Sequence, residues 1–479
     1  MAGRRRHGRH RSEDRLSDLP DELLHKILIR LPSTFEAART SVLSRRWRHV
    51  WTNVPALSFS SRHSSSSILN AIDAALEANA FPTLGRLSIS INWNQGDPAA
   101  RAASWLRFAS QRLVGELILT FTAPWTTMFH FHPFLSPSEI AVPVCERATA
   151  IHLQLKLQQR LRFPTDGSFT ALGILRICCF SVHVGELERL LSMQCPRLQE
   201  LVLSVSVLNN ALSIRSESLQ RLRLGGGGSS TTGHITVNAP RLARLEMSRS
   251  SVWIQKRKEV YAVHIVAPEL TELICHDAYS QCDHIVTNQP CLRKLEVNMN
   301  KEALVSGKTS TVLEQFDTVD ELELHLTHRE EQAYEAFMVN TAKLLQCKSL
   351  KITFQAFGPQ GHAESPSCHF MHGDEPEELP YGDLATNGVA LDTLEEVEFS
   401  FLKVGNHEMG LMRLLLTRCG AAVLTRVVVH RTHGSQNNPS LISRTTCKTI
   451  TNFCHPETRI EFYGYSRGSY ELVWTHNMV

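Results

Sequence analysis

No stretch of this 479-residue chain holds the long apolar run that a membrane-crossing helix requires, which argues against a helical span and a membrane partner. Asn-x-Ser/Thr is missing too: Asn438-Pro439-Ser440, the nearest approach, is spoiled by its proline, so no N-glycan is expected. The twelve cysteines lack the paired spacing of a disulfide framework, and several sit inside leucine-rich stretches. Buried, reduced thiols of a nuclear or cytoplasmic protein are therefore expected. Net charge is only +3, too little for the whole-molecule field to argue for a nucleic-acid partner. Arg4, Arg5, Arg6, Arg9 and Arg11 crowd the first eleven residues, but no apolar segment follows them as in a secretory signal peptide. Residues 1–14 are read as a basic, disordered leader, with a nuclear import signal as the functional alternative.

What is present begins at Asp14. Leu23, Leu24, Ile27, Leu28 and Leu31 fall at helical spacing, with Asp21 and Glu22 at the positive end of the dipole and Pro32 as the expected stop. Pro20 sits where a first helical residue tolerates proline. A second apolar set follows in Val42, Leu43, Trp47, Val50 and Trp51, interleaved with Arg45, Arg46 and Arg48. So short a piece buries a low fraction of its surface, so two tryptophans and two leucine-rich helices suggest apolar surface shared with a partner.

This stretch resembles an F-box. The family pattern appears as Leu19-Pro20, Ile27-Leu28, Leu31-Pro32, Ser41 to Ser44, Arg46-Trp47-Arg48 and Trp51. The resemblance implies that residues 15–59 dock onto a Skp-type adaptor and, through it, a cullin-based ubiquitin ligase. The implied contacts are Leu19, Pro20, Ile27, Leu28, Leu31, Pro32, Val42, Leu43, Trp47 and Trp51. The sequence does not apportion them between the module's own core and the partner.

Ser58, Ser60, Ser61 and Ser64 to Ser67 read as a linker, followed by a short helix carrying Ile68, Ile72, Ala75 and Leu76, together spanning 60–80. From residue 81 one pattern keeps returning: apolar, two residues, leucine or similar, one residue, apolar. It appears at Leu84, Val114, Leu172, Leu198, Leu219, Leu242, Leu270, Leu292, Val319 and Leu394. The steps from Leu198 to Val319 run from 21 to 28 residues, inside the leucine-rich-repeat range. Cys195-Pro196, Ala239-Pro240, Ala267-Pro268 and Gln289-Pro290 punctuate the entries. Leu350-Ile352-Phe354 departs from the pattern, and Gly358 to Gly388 reads as an inserted surface loop. The fold class is α/β: a small N-terminal helical F-box, then an irregular leucine-rich-repeat solenoid with a parallel concave sheet over 81–390. Residues 391–479 resemble the FBD-type C-terminal region of plant F-box proteins, through Leu394-Glu395-Glu396-Val397, Leu414-Leu415-Leu416 and Leu424-Thr425-Arg426, and continue or cap the solenoid.

Enzyme signals are weak. Gly464-Tyr465-Ser466-Arg467-Gly468 matches a serine-hydrolase elbow, but a strand-like run follows where the chemistry needs a helix, so a hairpin turn is expected. His362, Cys368, His369 and His372, and the pair Cys282 and His284, lack the second half of a zinc site. Gly225 to Gly228 lacks the Gly-Lys-Ser/Thr of a phosphate loop. No catalytic residue, metal or cofactor is expected.

The resemblance implies a non-catalytic subunit of the nucleus and cytoplasm that brings an unknown protein substrate to the ligase; an interaction scaffold uncoupled from degradation is the alternative. Strand alternation puts the substrate-facing positions between the leucines. These are Glu200, Val202 and Ser204, then Arg221, Arg223, Arg244 and Glu246, then Glu272, Ile274 and His276. Lys294, Glu296, Asn298, Glu321, Glu323 and His325 follow. Like charges are expected to group, basic around Arg221, Arg223 and Arg244 and acidic around Glu321 and Glu323.

Overall fold

The computed structural model describes residues 19–61, 65–92, 99–122, 138–155, 159–207, 211–226, 234–248, 262–276, 283–287, 292–299, 319–326, 347–354, 391–401, 406–419, 423–431, 442–466 and 469–476. The chain divides into two units, Met1–Asn209 with Ile214–Leu219, and Asn210–Ser213 with Gln220–Val479. Among the described residues no helix is long and apolar enough to cross a membrane.

The first unit opens with α1 (Asp21–Leu28), α2 (Thr34–Arg39) and α3 (Trp47–Val50), the last flanked by 3-10 turns at Thr40–Val42 and Trp51–Asn53. The Pro20 carbonyl accepts the Leu23 and Leu24 N–H groups, so the proline caps α1 instead of starting it. The Ser33 hydroxyl accepts the Glu36 N–H at the start of α2. Two expectations are corrected. The first helix ends at Leu28, ahead of Leu31, and the second apolar set is broken into short turns. Thr34 fixes this module to the sheet by accepting the Ser58 N–H at 2.8 Å, and Phe35 meets Phe59 edge-on at 5.3 Å.

The serine-rich piece is therefore structural. Its Ser58, Ser60 and Ser61 lie in β1 (Ala56–Ser61), where Leu57 and Phe59 are buried, and the parallel sheet begins there instead of at residue 81. The order continues through β2 (Leu84–Asn92), β3 (Leu113–Thr122), β5 (Ala150–Leu155), β7 (Ile174–Val182) and β8 (Glu200–Val207), each parallel to its neighbour. The short strands β4 (Ser138–Ala141) and β6 (Gln159–Arg162) pair beside β7. Parallel pairing demands crossovers, and α4 (Ser66–Ala78), α5 (Ala99–Arg112) and α6 (Val184–Arg189) supply three of them. Asp73 joins α4 to α5 by an ion pair with Arg101 and a 2.7 Å bond from Trp105 Nε1.

At β3 the repeat register shifts. Leu84 pairs with Leu113 and Arg86 with Glu116, so β3 carries one extra residue. Leu113 is buried in the first apolar position, and Val114, expected there, is exposed. A Cβ on Gly115 would lie 2.0 Å from the Gly85 carbonyl oxygen, which explains glycine at this approach.

Strand β9 (Leu212–Arg215) contains residues of both units. In the second unit β10 (Arg221–Gly226), β12 (Arg244–Ser248), β14 (Glu272–Cys275), β16 (Lys294–Met299), β17 (Glu321–Leu326) and β18 (Ser349–Phe354) run parallel in that order. β19 (Glu396–Phe401), β20 (Arg426–Arg431) and β21 (Arg459–Ser466) extend the same sheet, and β22 (Ser469–His476) closes it antiparallel. Leu350 pairs with Leu322 and Ile352 with Leu324, so this strand follows the general pattern with buried Cys347 at its head. A second parallel sheet of β11 (His234–Asn238), β13 (Ala262–Val266) and β15 (Asp283–Thr287) stands where loops or helices were expected. In its first two strands Ile235, Val237, Val263 and Ile265 are buried. The leucine-rich positions form each core: Leu222, Leu245, Leu273, Leu295, Leu322, Leu350 and Val397 are all buried in adjoining strands. Each such side chain contributes roughly 1.5–3 kcal/mol when fully buried.

Candidate partner-binding surfaces

The helical module divides its apolar residues between two environments. Leu24, Leu28, Trp47 and Val50 are buried. Val42 is 88% exposed, Leu43 62%, Ile29 46%, Leu23 42% and Ile27 39%. Of the implied contacts, Leu28 and Trp47 are thus core residues, because α1 and α3 turn them inward. Ile27, Val42 and Leu43 remain at the surface with Pro20 and Pro32, and Leu19, Leu31 and Trp51 are half-buried. Leu23 and Ile29, which are not among the implied contacts, are exposed as well. Successive helical residues point about 100° apart, so Leu23 and Ile27 share one face of α1 and Leu24 and Leu28 the next, which is why neighbouring members of one broad stripe part company. Arg46 donates to Asp21 through Nε at 3.1 Å and Nη2 at 2.5 Å, tying the starts of α3 and α1 together.

The second surface is the open face of the sheet, opposite the leucines. In the first unit it carries Arg86 against Glu116 at 3.3 Å and Arg176 against Glu200 at 2.6 Å, with Val202 and Ser204 half-buried beside them. In the second unit the register places Arg221, Arg244, Glu272, Lys294 and Glu321 in one row and Arg223, Glu246, Ile274, Glu296 and Glu323 in the next. Arg221 and Arg223 are exposed there, as the alternation of the repeat requires. Ile274 departs from expectation: it is buried at 3% exposure.

Like charges adjoin at Arg221 and Arg244 and at Glu296 and Glu323, but ion pairs cross the strands between them. Arg223 pairs with Glu246 at 3.0 Å and Arg244 with Glu272 at 3.0 Å. Lys294 lies 2.9 Å from Glu323, and Lys351 bridges Glu323 at 3.6 Å and Glu398 at 3.3 Å. His276 and His325 both approach Glu296, at 3.5 and 3.1 Å. Arg223, Arg244, Lys294 and Lys351 each face an acid on a neighbouring strand, which interleaves acids with the expected basic block, while Arg221 stands opposite Arg244. The repeat period spaces like residues at like positions, and only cross-strand register reveals which charges neutralise which.

Beyond Glu323 the face becomes aromatic. His430 stacks on Tyr463 at 4.9 Å and meets Tyr470 edge-on at 4.8 Å, and Tyr470 meets Tyr465 at 5.3 Å. The aromatic end was not read from the sequence: the strand runs at Arg426–Arg431 and Arg459–Ser466 put His430, Tyr463 and Tyr465 at alternate positions, but only register brings them together. Glu461 anchors this end with Arg426 at 2.7 Å and Arg459 at 2.5 Å. Burial acts to raise its pKa, but hydrogen bonding and charge from Arg426, helped by Tyr463 and Arg459, outweigh it and bring the carboxyl below its ordinary value.

Ser466 ends β21 and pairs with Ser469 of β22, so an antiparallel hairpin occupies the elbow-like motif. Burial pushes the thiols of Cys195 and Cys347 up to about 12, which makes them packing groups and not nucleophiles. His362, Cys368, His369 and His372, Cys282 and the His284 side chain lie outside the described residues, as do Gly227, Gly228, the Asn298 side chain and Gly358 to Gly388.

Residues 16–68 match the family model of the F-box domain, and residues 102–280 match the model described as FBD-associated F-box protein At5g56370, LRR repeats. Three similar proteins are from Arabidopsis thaliana. F-box/LRR-repeat protein 25 is 29% identical over 276 residues, 58% of this chain and 91% of its own length. F-box/FBD/LRR-repeat protein At2g04230 is 32% identical over 264 residues, 50% of this chain and 54% of that protein. F-box/LRR-repeat protein At1g55660 is 30% identical over 244 residues, 49% of this chain and 64% of that protein. The chain thus spans nearly all of the first relative and less than two thirds of the other two.

Proposed function

Since the chain carries an F-box followed by FBD-associated leucine-rich repeats, and its relatives are plant F-box/LRR and F-box/FBD/LRR proteins, we propose that it recruits a substrate to a Skp–cullin–F-box ubiquitin ligase. F-box/LRR proteins are in general non-catalytic substrate receptors. In this reading Leu23, Ile27, Ile29, Val42 and Leu43 meet the Skp-type adaptor, and the open face of the sheet holds a protein substrate. Residues 391–479 serve as an FBD-like end to the repeats, and the protein works in nucleus and cytoplasm.

The observation that carries this reading is the exposure of Val42 and Leu43 inside an F-box match. Large apolar side chains held in water by a folded module are the anchors from which interfaces draw most of their energy. The test is co-purification of the full chain with a Skp-type adaptor, followed by ubiquitylation of a captured protein in a reconstituted ligase. A stable complex is expected, lost when residues 15–55 are deleted. Equal adaptor binding with and without those residues would overturn the reading. Adaptor binding without any ubiquitylation of captured proteins would favour a scaffold instead.

A further inference from the structure

We propose that Glu296, Glu323 and His325 form a three-ligand binding site for a divalent transition-metal ion of the zinc class, its fourth position open to solvent, on the open face of the second unit. The proposal is independent of the ligase reading. One ligand atom from each of Glu296, Glu323 and His325 lies within 4.8 Å of the other two. His325 Nε2 stands 3.1 Å from Glu296 Oε1 and 3.4 Å from Glu323 Oε1, and His276 Nε2 stands 3.5 Å from Glu296 Oε1. A tetrahedral zinc with bonds of about 2.0–2.1 Å sets its ligand atoms about 3.3 Å apart, which the two His325 separations match; His276 stands beside this group as a neighbour of Glu296.

An ordinary hydrogen-bond network accounts for less of this geometry. An imidazole Nε2 carries at most one proton, yet His325 Nε2 faces two carboxylate oxygens, one from Glu296 and one from Glu323, so one of the two contacts has no donor hydrogen of its own. Ligand atoms from two adjoining strands, β16 and β17, converge on one place, which a cation satisfies together. The donor set, imidazole and carboxylate without thiolate, suits zinc and its neighbours in the first transition row. Chain spacing hides the site, because strand register alone brings Glu296 and the pair Glu323 and His325 together.

Two lysines bear on the site in different ways. Lys294 Nζ engages Glu323 Oε2 at 2.9 Å, leaving Oε1 for the ion. Lys351 Nζ lies 3.6 Å from Glu323 Oε1 itself and 3.3 Å from Glu398 Oε1, so it competes with the ion and has a second carboxylate to retreat to. Removing Lys351 should therefore tighten binding, a result that a merely structural ion-pair network does not give.

The experiment titrates the full chain with zinc against a chromophoric chelator, for wild type, Glu296→Gln with His325→Ala, and Lys351→Met. X-ray absorption at the zinc edge identifies the ligand atoms, which separates this site from any held by cysteine. One equivalent bound through nitrogen and oxygen is expected in wild type. The double variant should lose it by at least tenfold in affinity with circular dichroism unchanged, and Lys351→Met should bind several-fold more tightly. Equal zinc stoichiometry and affinity in wild type and the double variant, or a thiolate-only signal, overturns the proposal. If the double variant unfolds, the sign of the Lys351→Met change decides, and weaker or unchanged binding there also overturns it.

Discussion

Val42 and Trp47 stand five positions apart in one motif and do opposite work. Trp47 fills the module's core, and Val42 projects from it. Changing Val42 and Leu43 together to Glu should weaken adaptor binding at least tenfold in a pull-down titration while the thermal midpoint stays put. Trp47→Ala should instead destabilise the first unit by about 3–5 kcal/mol, read as a lowered midpoint. The motif was legible as letters, but letters do not say which side of a short helix faces the sheet. That depends on Thr34 and Phe35 gripping β1, a tertiary contact.

Glu461 gives the second residue-level expectation. Its side chain is 3% exposed and its pKa is lowered in the fold. A lowered carboxylate contributes stability that is fully present above the ordinary value of 4.5 and is lost as pH falls through the folded pKa. Glu461→Gln should cost about 1–3 kcal/mol at neutral pH, the usual range for a hydrogen bond to a charged group. The gap between variant and wild type should close below pH 4.5, as denaturant melts across the acid range would record.

At the scale of elements, the strand residues were read correctly and their connections were not. Leucine spacing located the core positions because alternation in a strand is local, whereas β11, β13 and β15 replaced expected loops because short apolar pairs such as Ile235 and Val237 are a faint signal alone. The extra residue of β3 was likewise hidden, since Val114 and Leu113 are equally apolar. Its consequence is testable at Gly115. Gly115→Ala drives a Cβ into the Gly85 backbone and should separate β2 from β3, lowering the first unit's stability by more than about 2 kcal/mol. Gly173→Ala, whose Cβ would meet only the Thr149 oxygen at 3.8 Å, should be nearly silent in the same melts. On the open face, Arg221→Glu with Arg223→Glu should abolish substrate capture while adaptor binding survives. Arg223 is half-exposed in its pair with Glu246, so stability should change by less than about 1 kcal/mol. Loss of adaptor binding in that variant would mean that the two surfaces are not separate.

For the whole molecule, each unit buries its own leucine ladder, and the order of F-box then repeats was readable from end to end. The charge lattice was not, because composition and period carry no information about which strand lies beside which. The basic leader makes a prediction of its own. Deleting residues 2–11 should leave adaptor binding intact and reduce nuclear entry of a tagged protein seen by imaging; unchanged entry would leave the leader as solvated chain.

β18 and β19 pair residue for residue, Leu350 with Val397 and Ile352 with Phe399, although Phe354 and Glu396 lie far apart along the chain. The ladder is indifferent to how much polypeptide passes between its rungs. Changes in the length of that connection should therefore cost the ladder little, since loop-closure entropy grows only slowly with length. A small fluorescent reporter grafted between those strands should fold and report without disturbing the face beside it.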